Sequence, residues 1–351
     1  MELPCCETKF TADQPRQVDE WHTGRTTLLK QRQIGSLRVS VVGLGCNQFG
    51  QNCDAAESAD IVREALDAGI NFFDTADEYG PDGVSEEFLG QALGARRDEV
   101  VIATKFGHHM FGDPERGGAG QRWIVQAVED SLRRLGTDRI DLYQQHFPDP
   151  ATPHEETMTA LDRLVQDGKV REIGCCNLSG ADVDERADIS QRLGSTPLAS
   201  AQNRLNLLRQ EAVTDLVPAL KRHDMALIPY FPLAAGMLTD KYKRGEPLPE
   251  GTRLSSRHVD RNQALHMIER DAPRVEALSG WAAEHGYLLS DLALAWLLAN
   301  PVVATVITGA TRPAQIAANA RAAELELSED DAAAVAAIGR GEAPSEQSSK
   351  Q

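Results

Sequence analysis

The chain has 351 residues and a formal net charge of −17. Its length suits either two average domains or one large barrel, so length alone leaves the domain count open. The negative charge disfavours nucleic acids and anionic membranes as partners, because like charges repel at long range. A small molecule is therefore the expected partner.

Membrane and secretory signals are missing from the sequence. The longest strongly apolar run, 292–299, is far shorter than the ~20 residues that a membrane helix requires. The first residues lack a basic start followed by an apolar segment, so a cytoplasmic location is expected. None of the six cysteines forms a Cys-x-x-Cys pair, which favours reduced thiols over a disulfide framework or a zinc site.

The chain divides into three predicted regions. Residues 1–27 are polar and irregular and are interpreted as an N-terminal extension. A short hairpin over 28–37 opens the main domain, which runs to residue 339, and 340–351 form a polar C-terminal tail.

Within the main domain, apolar strand patterns alternate with helical patterns. The predicted strands are 39–44, 70–74, 100–104, 140–146, 170–175, 198–202, 226–230 and 303–307. The predicted helices are 55–68, 85–93 (with Ser85 as its cap), 121–135, 157–166, 181–193, 211–222, 273–284, 290–299 and 313–323.

This alternation predicts an α/β protein with a parallel sheet, and eight strands favour closure into a single (β/α)8 barrel. The main alternative is a doubly wound dinucleotide-binding domain, which carries Gly-x-Gly-x-x-Gly after its first strand. Here Gly43 and Gly45 are followed by a third glycine only at Gly50, which is too late for that motif. The pair is typical of a tight turn through which the backbone approaches a ligand.

Four polar residues are predicted at or just beyond the ends of three successive strands. Asp74 ends the strand that contains Phe72 and Phe73, and Tyr79 follows five residues later. A tyrosine has an ordinary pKa near ~10, so it serves as an acid at neutral pH only if a cation stabilises its phenolate. Lys105, at the end of the next strand, supplies such a cation, and His146 ends the strand after that.

Together Asp74, Tyr79, Lys105 and His146 resemble the catalytic tetrad of the aldo-keto reductases, and the resemblance extends from about residue 35 to 331. It implies NADPH-dependent reduction of an aldehyde or ketone. In that reading Tyr79 is the general acid, Lys105 lowers its pKa, Asp74 keeps the lysine charged, and His146 orients or polarises the carbonyl. It also implies that the hairpin closes the bottom of a barrel.

The same resemblance implies a nicotinamide site above the barrel. Cys176, in place of a usual serine, and Asn177 would hold the carboxamide with Gln202, while Tyr230 would stack on the ring. The pyrophosphate would lie along the loop that follows Tyr230, with Lys241 and Arg253 as its charge partners. The further residues expected around the cofactor are Phe231, Pro232, Leu233, Ala234, Ala235, Lys241, Arg253, Cys46, Asn47 and Asp74.

The stretch that begins at Gly309 indicates which cofactor is used. It joins the last strand to a helix, and a helix N-terminus offers free N–H groups to a phosphate. Thr311 and Arg312 would add a hydroxyl and a guanidinium at a 2′-phosphate, which favours NADP over NAD. Gln315 and Asn319 match the family's adenosine contacts.

A second hypothesis is a cofactor-bound regulatory or redox-sensing subunit with slow turnover, like the potassium-channel β subunits of the same family. The substrate is left open, because loops 107–120, 204–209 and 237–270 would set specificity and none names a substrate. His108 and His109 lack a third neighbouring ligand, so no metal is expected. Whether the protein is a monomer or a homo-oligomer is also left open.

Overall fold

The computed structural model describes residues 29–108, 116–256 and 259–342. Eight parallel strands form one sheet that curls into a barrel, preceded by a two-stranded antiparallel hairpin. The hairpin strands are β1 (Gln31–Ile34) and β2 (Leu37–Ser40). The barrel strands are β3 (Val42–Gly45), β4 (Phe72–Asp74), β5 (Val101–Phe106), β6 (Ile140–Gln145), β7 (Val170–Cys176), β8 (Ser200–Arg204), β9 (Ala226–Tyr230) and β10 (Val306–Gly309).

Each barrel strand pairs in parallel with its neighbour along the chain, and β10 returns to pair with β3. The ring is closed between β9 and the segment that leads into β10. There the amide of Leu227 donates to the Val302 carbonyl at 2.8 Å, and the amide of Ala304 donates to the Leu227 carbonyl at 3.0 Å. The predicted (β/α)8 barrel is therefore confirmed.

The helices lie around this ring. They are α1 (Ala55–Asp67), α2 (Val84–Leu93), α3 (Gln121–Leu135), α4 (His154–Gln166), α5 (Gly180–Leu193), α6 (Glu211–Thr214), α7 (Leu216–Arg222), α8 (Arg261–Glu284), α9 (Leu289–Ala299), α10 (Pro313–Ala322) and α11 (Glu329–Arg340). Among the described residues, no helix is both long and apolar enough to cross a membrane.

Two apolar cores follow from the alternation of side chains along the strands. Phe72 points into the barrel and belongs to a small inner cluster, whereas Phe73 packs outwards in the large cluster between strands and helices. The hairpin residues Ile34, Leu37 and Val39 also belong to the inner cluster. Because the hairpin leads directly into β3, it closes the end of the barrel at which the strands begin.

The tight turn of the hairpin contacts Glu172 of β7. Gly35 has φ +55°, a left-handed conformation that favours glycine, and a Cβ there would lie 2.5 Å from the Glu172 carboxylate. The neighbouring amide of Ser36 donates to Glu172 Oε1 at 2.8 Å. The bottom of the barrel is thus fixed to the hairpin by both apolar packing and hydrogen bonding.

Several predicted boundaries were wrong for local reasons. The segment 39–44 is two strands, because the chain turns at Val41 from the hairpin into the barrel. The segment 211–222 breaks between α6 and α7, where Pro218 has no N–H to offer the Thr214 carbonyl. Helix α8 begins at Arg261 rather than Pro273, since the Asp260 side chain caps it by accepting from the Gln263 amide at 2.9 Å.

Two further features differ from the sequence prediction. Ser85 does not cap α2: the helix begins at Val84, after Gly83 in a left-handed conformation. Helix α11, capped by Ser328, was not predicted. The division into an extension 1–27, a barrel 28–339 and a tail 340–351 stays a prediction, because residues 1–28 and 343–351 lie outside the described residues.

Candidate active site

The carboxyl ends of the strands bring three of the predicted residues to one end of the barrel. Asp74 ends β4, Lys105 is the penultimate residue of β5, and His146 follows β6 directly. Tyr79 lies on the loop between β4 and α2, whose backbone is tied to β5 because the Asp77 amide donates to the Lys105 carbonyl at 3.1 Å. Residues from distant parts of the sequence therefore meet at the open end of the barrel.

Lys105 is the centre of this group. Its fully buried ammonium donates to Asp74 Oδ2 at 2.6 Å, to the Thr75 carbonyl at 2.8 Å and to the Tyr79 hydroxyl at 3.3 Å. All three donors of the ammonium are used, so its position is fixed by hydrogen bonding. The predicted contacts of Lys105 with both Asp74 and Tyr79 are thus present.

Burial raises the pKa of Tyr79, and the positive charge of Lys105 acts in the opposite, lowering direction. The lysine therefore works in the direction expected from the sequence, although burial is the larger effect. Burial is the largest single effect and acts to lower the pKa of Lys105, but the charge of Asp74, together with Tyr79, Cys176 and the hydrogen bond to Asp74, raises the pKa overall. At neutral pH the site consequently holds a protonated phenol beside a charged ammonium.

His146 completes the group and stays neutral. Its ring lies edge-on to the Tyr79 ring, with centroids 5.7 Å apart. Burial, followed by the charges of Lys105 and His108, lowers the pKa of His146 to about 2. Its Nδ1 lies 3.3 Å from Glu78 Oε1 but has no aligned hydrogen-bond partner among the described residues, so we regard this contact as a neutral one and not as an ion pair.

Glu78 also contacts the other histidine of this region. His108 Nδ1 lies 2.7 Å from Glu78 Oε2, and burial raises the pKa of Glu78. His109 lies outside the described residues. Across the described part of the chain, no group of three or more His, Cys, Asp or Glu side chains is arranged to hold a metal ion.

The loop that carries Tyr79 is fixed by hydrogen bonds to Ser85, at the start of α2. The Ser85 amide donates to the Tyr79 carbonyl at 3.1 Å. The Ser85 hydroxyl donates to the Cys46 carbonyl at 2.8 Å and lies 3.0 Å from the Thr75 hydroxyl. Ser85 therefore fastens the loop to the top of β3.

Glu86, the next residue, is fully buried and joins three elements. It accepts from Thr104 of β5 at 2.6 Å and from Arg134 of α3 at 2.7 Å. Both oxygens of nearby buried Asp77 lack a partner among the described residues, and burial followed by the charge of Glu86 raises the pKa of Asp77. The burial of Glu86 and its partners on β5 and α3 become visible only in the fold.

The second oxygen of Asp74 is held by amides. Gln202 of β8 donates to Asp74 Oδ1 at 2.8 Å, and Gln144 of β6 donates to the same oxygen at 3.4 Å. Gln202 was predicted as a carboxamide contact, and here its amide group faces the carboxylate. Gln144 was not singled out, although its position two residues before His146 places both on one face of the strand.

Asn177 and Tyr230 meet at the rim. The Tyr230 hydroxyl donates to Asn177 Oδ1 at 2.6 Å, and Asn177 Nδ2 donates to the His146 carbonyl at 3.0 Å. Cys176 is buried, with its sulfur 3.9 Å from Gln144 Oε1. Cys46 is also buried, and its amide donates to the Asp74 carbonyl at 2.8 Å.

The loop after β9 has an unusual backbone. Phe231, Ala234, Ala235 and Gly236 all have positive φ, with 54°, 48°, 58° and 95° respectively. Pro232 is buried within this loop and Leu233 is half-buried. The guanidinium of Arg253 lies 4.5 Å from the centre of the Phe231 ring. The predicted pyrophosphate loop and Arg253 are therefore neighbours.

The start of α10 lies beyond the end of β10. Gln315 Oε1 accepts from the Thr311 amide at 2.8 Å and from the Arg312 amide at 3.1 Å. Gly309 is exposed, and a Cβ there would lie 3.7 Å from Asn47 Oδ1 on the neighbouring strand end. Asn319, about one turn after Gln315, is buried. Gln315 thus caps the start of its own helix.

Comparison with known proteins agrees with this geometry. The sequence model described as "Aldo/keto reductase family" matches residues 41–340. A protein of Oryza sativa subsp. japonica named "Probable voltage-gated potassium channel subunit beta" is 33% identical over 294 residues, which cover 82% of this chain and 89% of that protein. "L-glyceraldehyde 3-phosphate reductase" of Escherichia coli strain K12 is 32% identical over 293 residues, covering 82% and 84%.

A third relative, "Uncharacterized oxidoreductase YrpG" of Bacillus subtilis strain 168, is 33% identical over 305 residues, covering 84% of this chain and 90% of that protein. The family match spans the whole barrel, from the start of β3 to the end of α11. The chain belongs to the aldo/keto reductase family.

Proposed function

We propose that the protein reduces an aldehyde or ketone to an alcohol with NADPH, and that Tyr79 is the general acid. The observation that carries the proposal is the contact of one buried ammonium, that of Lys105, with both Asp74 and the Tyr79 hydroxyl. A phenol beside a fixed cation is suited to give up a proton, because the cation stabilises the phenolate that remains. The oxidoreductases among the relatives support the same reaction class.

The charge around the expected cofactor site fits a dinucleotide with a 2′-phosphate. Although the chain has a net charge of −17, the three cations expected around the cofactor are exposed and have no carboxylate within ion-pair distance among the described residues. They are Lys241, Arg253 and Arg312. Arg312 stands at the N-terminus of a ten-residue helix, where the helix dipole also favours a phosphate.

When bound, NADPH supplies the hydride that reduces the carbonyl carbon. Tyr79 donates its proton to the carbonyl oxygen, and Lys105 stabilises the phenolate until a proton returns from solvent. Asp74 holds the lysine in place. His146 stays neutral beside Tyr79 and orients the carbonyl, because a ring with a pKa of about 2 carries no charge at neutral pH.

The test is a panel of aldehydes, quinones and keto-sugars in which NADPH oxidation is followed by absorbance. Tyr79→Phe should lower kcat at least ~100-fold, the lower end of what general acid catalysis supplies, while NADPH still binds. Tyr287→Phe is the matched control, because Tyr287 stacks near Trp281 and His285, away from the tetrad. Near-normal turnover of Tyr79→Phe would remove Tyr79 from the mechanism.

A regulatory subunit is the second candidate, favoured by the relative from Oryza sativa subsp. japonica that is named as a probable potassium-channel β subunit. It predicts tight NADP binding, slow turnover with every carbonyl tested, and a stable protein partner. Redox sensing by the four described cysteines is disfavoured, because burial raises the pKa of Cys46, Cys53, Cys175 and Cys176 and keeps the unreactive thiol form. All four are free, in keeping with the cytoplasmic location that we propose.

A further inference from the structure

The polar floor of the active site contains one side chain to which the proposed mechanism gives no role. Gln144 is fully buried, and its neighbours across the sheet are Lys105 on β5 and Gly174 on β7. It points into the barrel just above the apolar inner cluster, to which Leu142 of the same strand belongs. A buried amide needs partners, and those of Gln144 are all residues of the predicted site.

The hydrogen bonds fix which way the Gln144 amide faces. Its Nε2 lies 3.4 Å from Asp74 Oδ1 and its Oε1 accepts from Cys176 at 3.9 Å and from Gln202 Nε2 at 3.5 Å. Exchanging nitrogen and oxygen would place an acceptor against the carboxylate and leave two donors pointing at donors. The amide therefore has one favourable orientation, with its N–H group directed at Asp74.

Space for Gln144 is provided by the glycine opposite. A Cβ at Gly174 would lie 3.2 Å from Gln144 Cγ and 2.7 Å from the Ser200 hydroxyl. A larger residue at this position of β7 would clash first with Ser200 and would also press on the glutamine side chain. The glycine just before Cys175 thus serves the floor of the site, and the glutamine fills the space that it leaves.

We propose that Gln144 is a positioning residue of the active site, whose amide acts with that of Gln202 to hold Asp74 Oδ1 and so fix the Asp74–Lys105 pair beside Tyr79. The proposal rests on the reductase function for its catalytic consequence. Asp74 has Lys105 on one oxygen and two amides on the other, so its plane is set from both sides. Loss of one amide lets the carboxylate rotate and takes the ammonium out of line with the phenol.

The first test does not depend on activity. A double-mutant cycle combines Gln144→Leu, which replaces the amide by an apolar group of similar size, with Asp74→Asn, and follows the midpoint of urea unfolding. If the amide holds the carboxylate, the midpoint shift of the double variant is smaller than the sum of the two single shifts. Additive shifts would overturn the contact, whatever the protein's function.

The second test uses kinetics with the best carbonyl substrate of the panel. We expect Gln144→Leu to lower kcat about tenfold, with NADPH affinity unchanged, which is the range that the loss of one bond to a charged acceptor produces. Gln144→Glu should add an acid limb to the pH profile of kcat, because two facing carboxyl groups retain a proton between them.

The matched control is Gln145→Leu, the same chemical change one residue along. The Gln145 amide contacts Arg186 and the Phe147 carbonyl and has no contact with Asp74. Gln144 would have only a packing role if two results were found together. The Gln144 variants would lose no more kcat than Gln145→Leu does, and both would keep the pH profile of the parent. If the parent itself reduces no carbonyl compound, the proposed function fails while the unfolding cycle still decides the contact.

Discussion

Replacement of Lys105 by methionine separates the structural role of the tetrad from its chemical role. The ammonium is fully buried and lies 2.6 Å from Asp74 Oδ2, so its removal leaves a buried carboxylate without its cation. Breaking a buried pair in this way costs about 3–5 kcal/mol of unfolding free energy. Since Gln202 and Gln144 still donate to the other oxygen, we expect a loss near the lower end, about 3 kcal/mol.

The same variant should lose turnover to the level of Tyr79→Phe, at least ~100-fold, because the phenolate has lost its cation. Adding Asp74→Asn to Lys105→Met removes the stranded charge. The double variant should therefore regain at least ~1 kcal/mol of the lost stability and none of the lost turnover. Stability is measured by urea unfolding followed by tryptophan fluorescence, and turnover by NADPH oxidation.

Lys221→Met is the control for the loss of a lysine side chain, since Lys221 is exposed on α7. It should leave both the urea midpoint and kcat close to the parent values. The reasoning is refuted if Lys105→Met keeps the parent turnover. It is refuted equally if the double variant is no more stable than Lys105→Met alone, because the cost would then come from lost packing and not from an unpaired charge.

Two more predictions concern the cofactor and pH. Arg312→Ala should weaken the binding of NADPH about ten- to a hundred-fold and leave the binding of NADH nearly unchanged, because only NADPH carries the 2′-phosphate. Fluorescence titration with each cofactor measures both affinities. Equal losses for the two cofactors would show that Arg312 does not contact the phosphate. The pKa of His146 is about 2 in the folded protein and ~6.5 in an unfolded chain, so the unfolded state binds the proton first as the pH falls. The free energy of unfolding therefore decreases below about pH 6.5, by up to ~1.4 kcal/mol per pH unit. In His146→Gln, the urea midpoint should change less between about pH 6.5 and 5 than it does in the parent. A decline as steep as that of the parent would show that His146 does not cause the pH dependence.

The barrel and the meeting of the four polar residues could be predicted because both depend on local patterns. Strand and helix periodicities repeat along the chain, and parallel strands necessarily end on the same side of a barrel. Asp74, Lys105 and His146 each stand at or beside the end of an apolar strand, so their proximity follows once the barrel is assumed. The distances between these residues and the neutral state of His146 could be determined only from the folded structure.

The misplaced start of α8 shows the limit of local signals. The sequence prediction began this helix at Pro273, and a proline does favour the first turn of a helix. In the structure Pro273 is exposed in the middle of a 24-residue helix. The side chain of Asp260 supplies a better start, and packing of the buried face outweighs the lost backbone bond.

The partners of Gln144, Gln202 and Gln315 lay beyond prediction for a different reason. An amide side chain both donates and accepts, so its identity does not reveal its partner. Gln202 faces a carboxylate 128 positions away along the chain, whereas Gln315 folds back on amides three and four residues away. Only the folded geometry distinguishes these two outcomes.

The pairing of β10 with β3 has a consequence for how the protein is made. Thr308 and Gly43, which are hydrogen-bonded across this pair, are separated by 265 positions in the chain. At ~5–20 residues per second, a ribosome needs roughly 13–53 s to synthesise that interval, and during this time one edge of β3 has no partner. The earlier strands can pair as they emerge, but the ring closes only after release of the last strand. In the nascent chain, the open edge of β3 should therefore stay unprotected against hydrogen exchange and accessible to chaperones until translation is nearly complete.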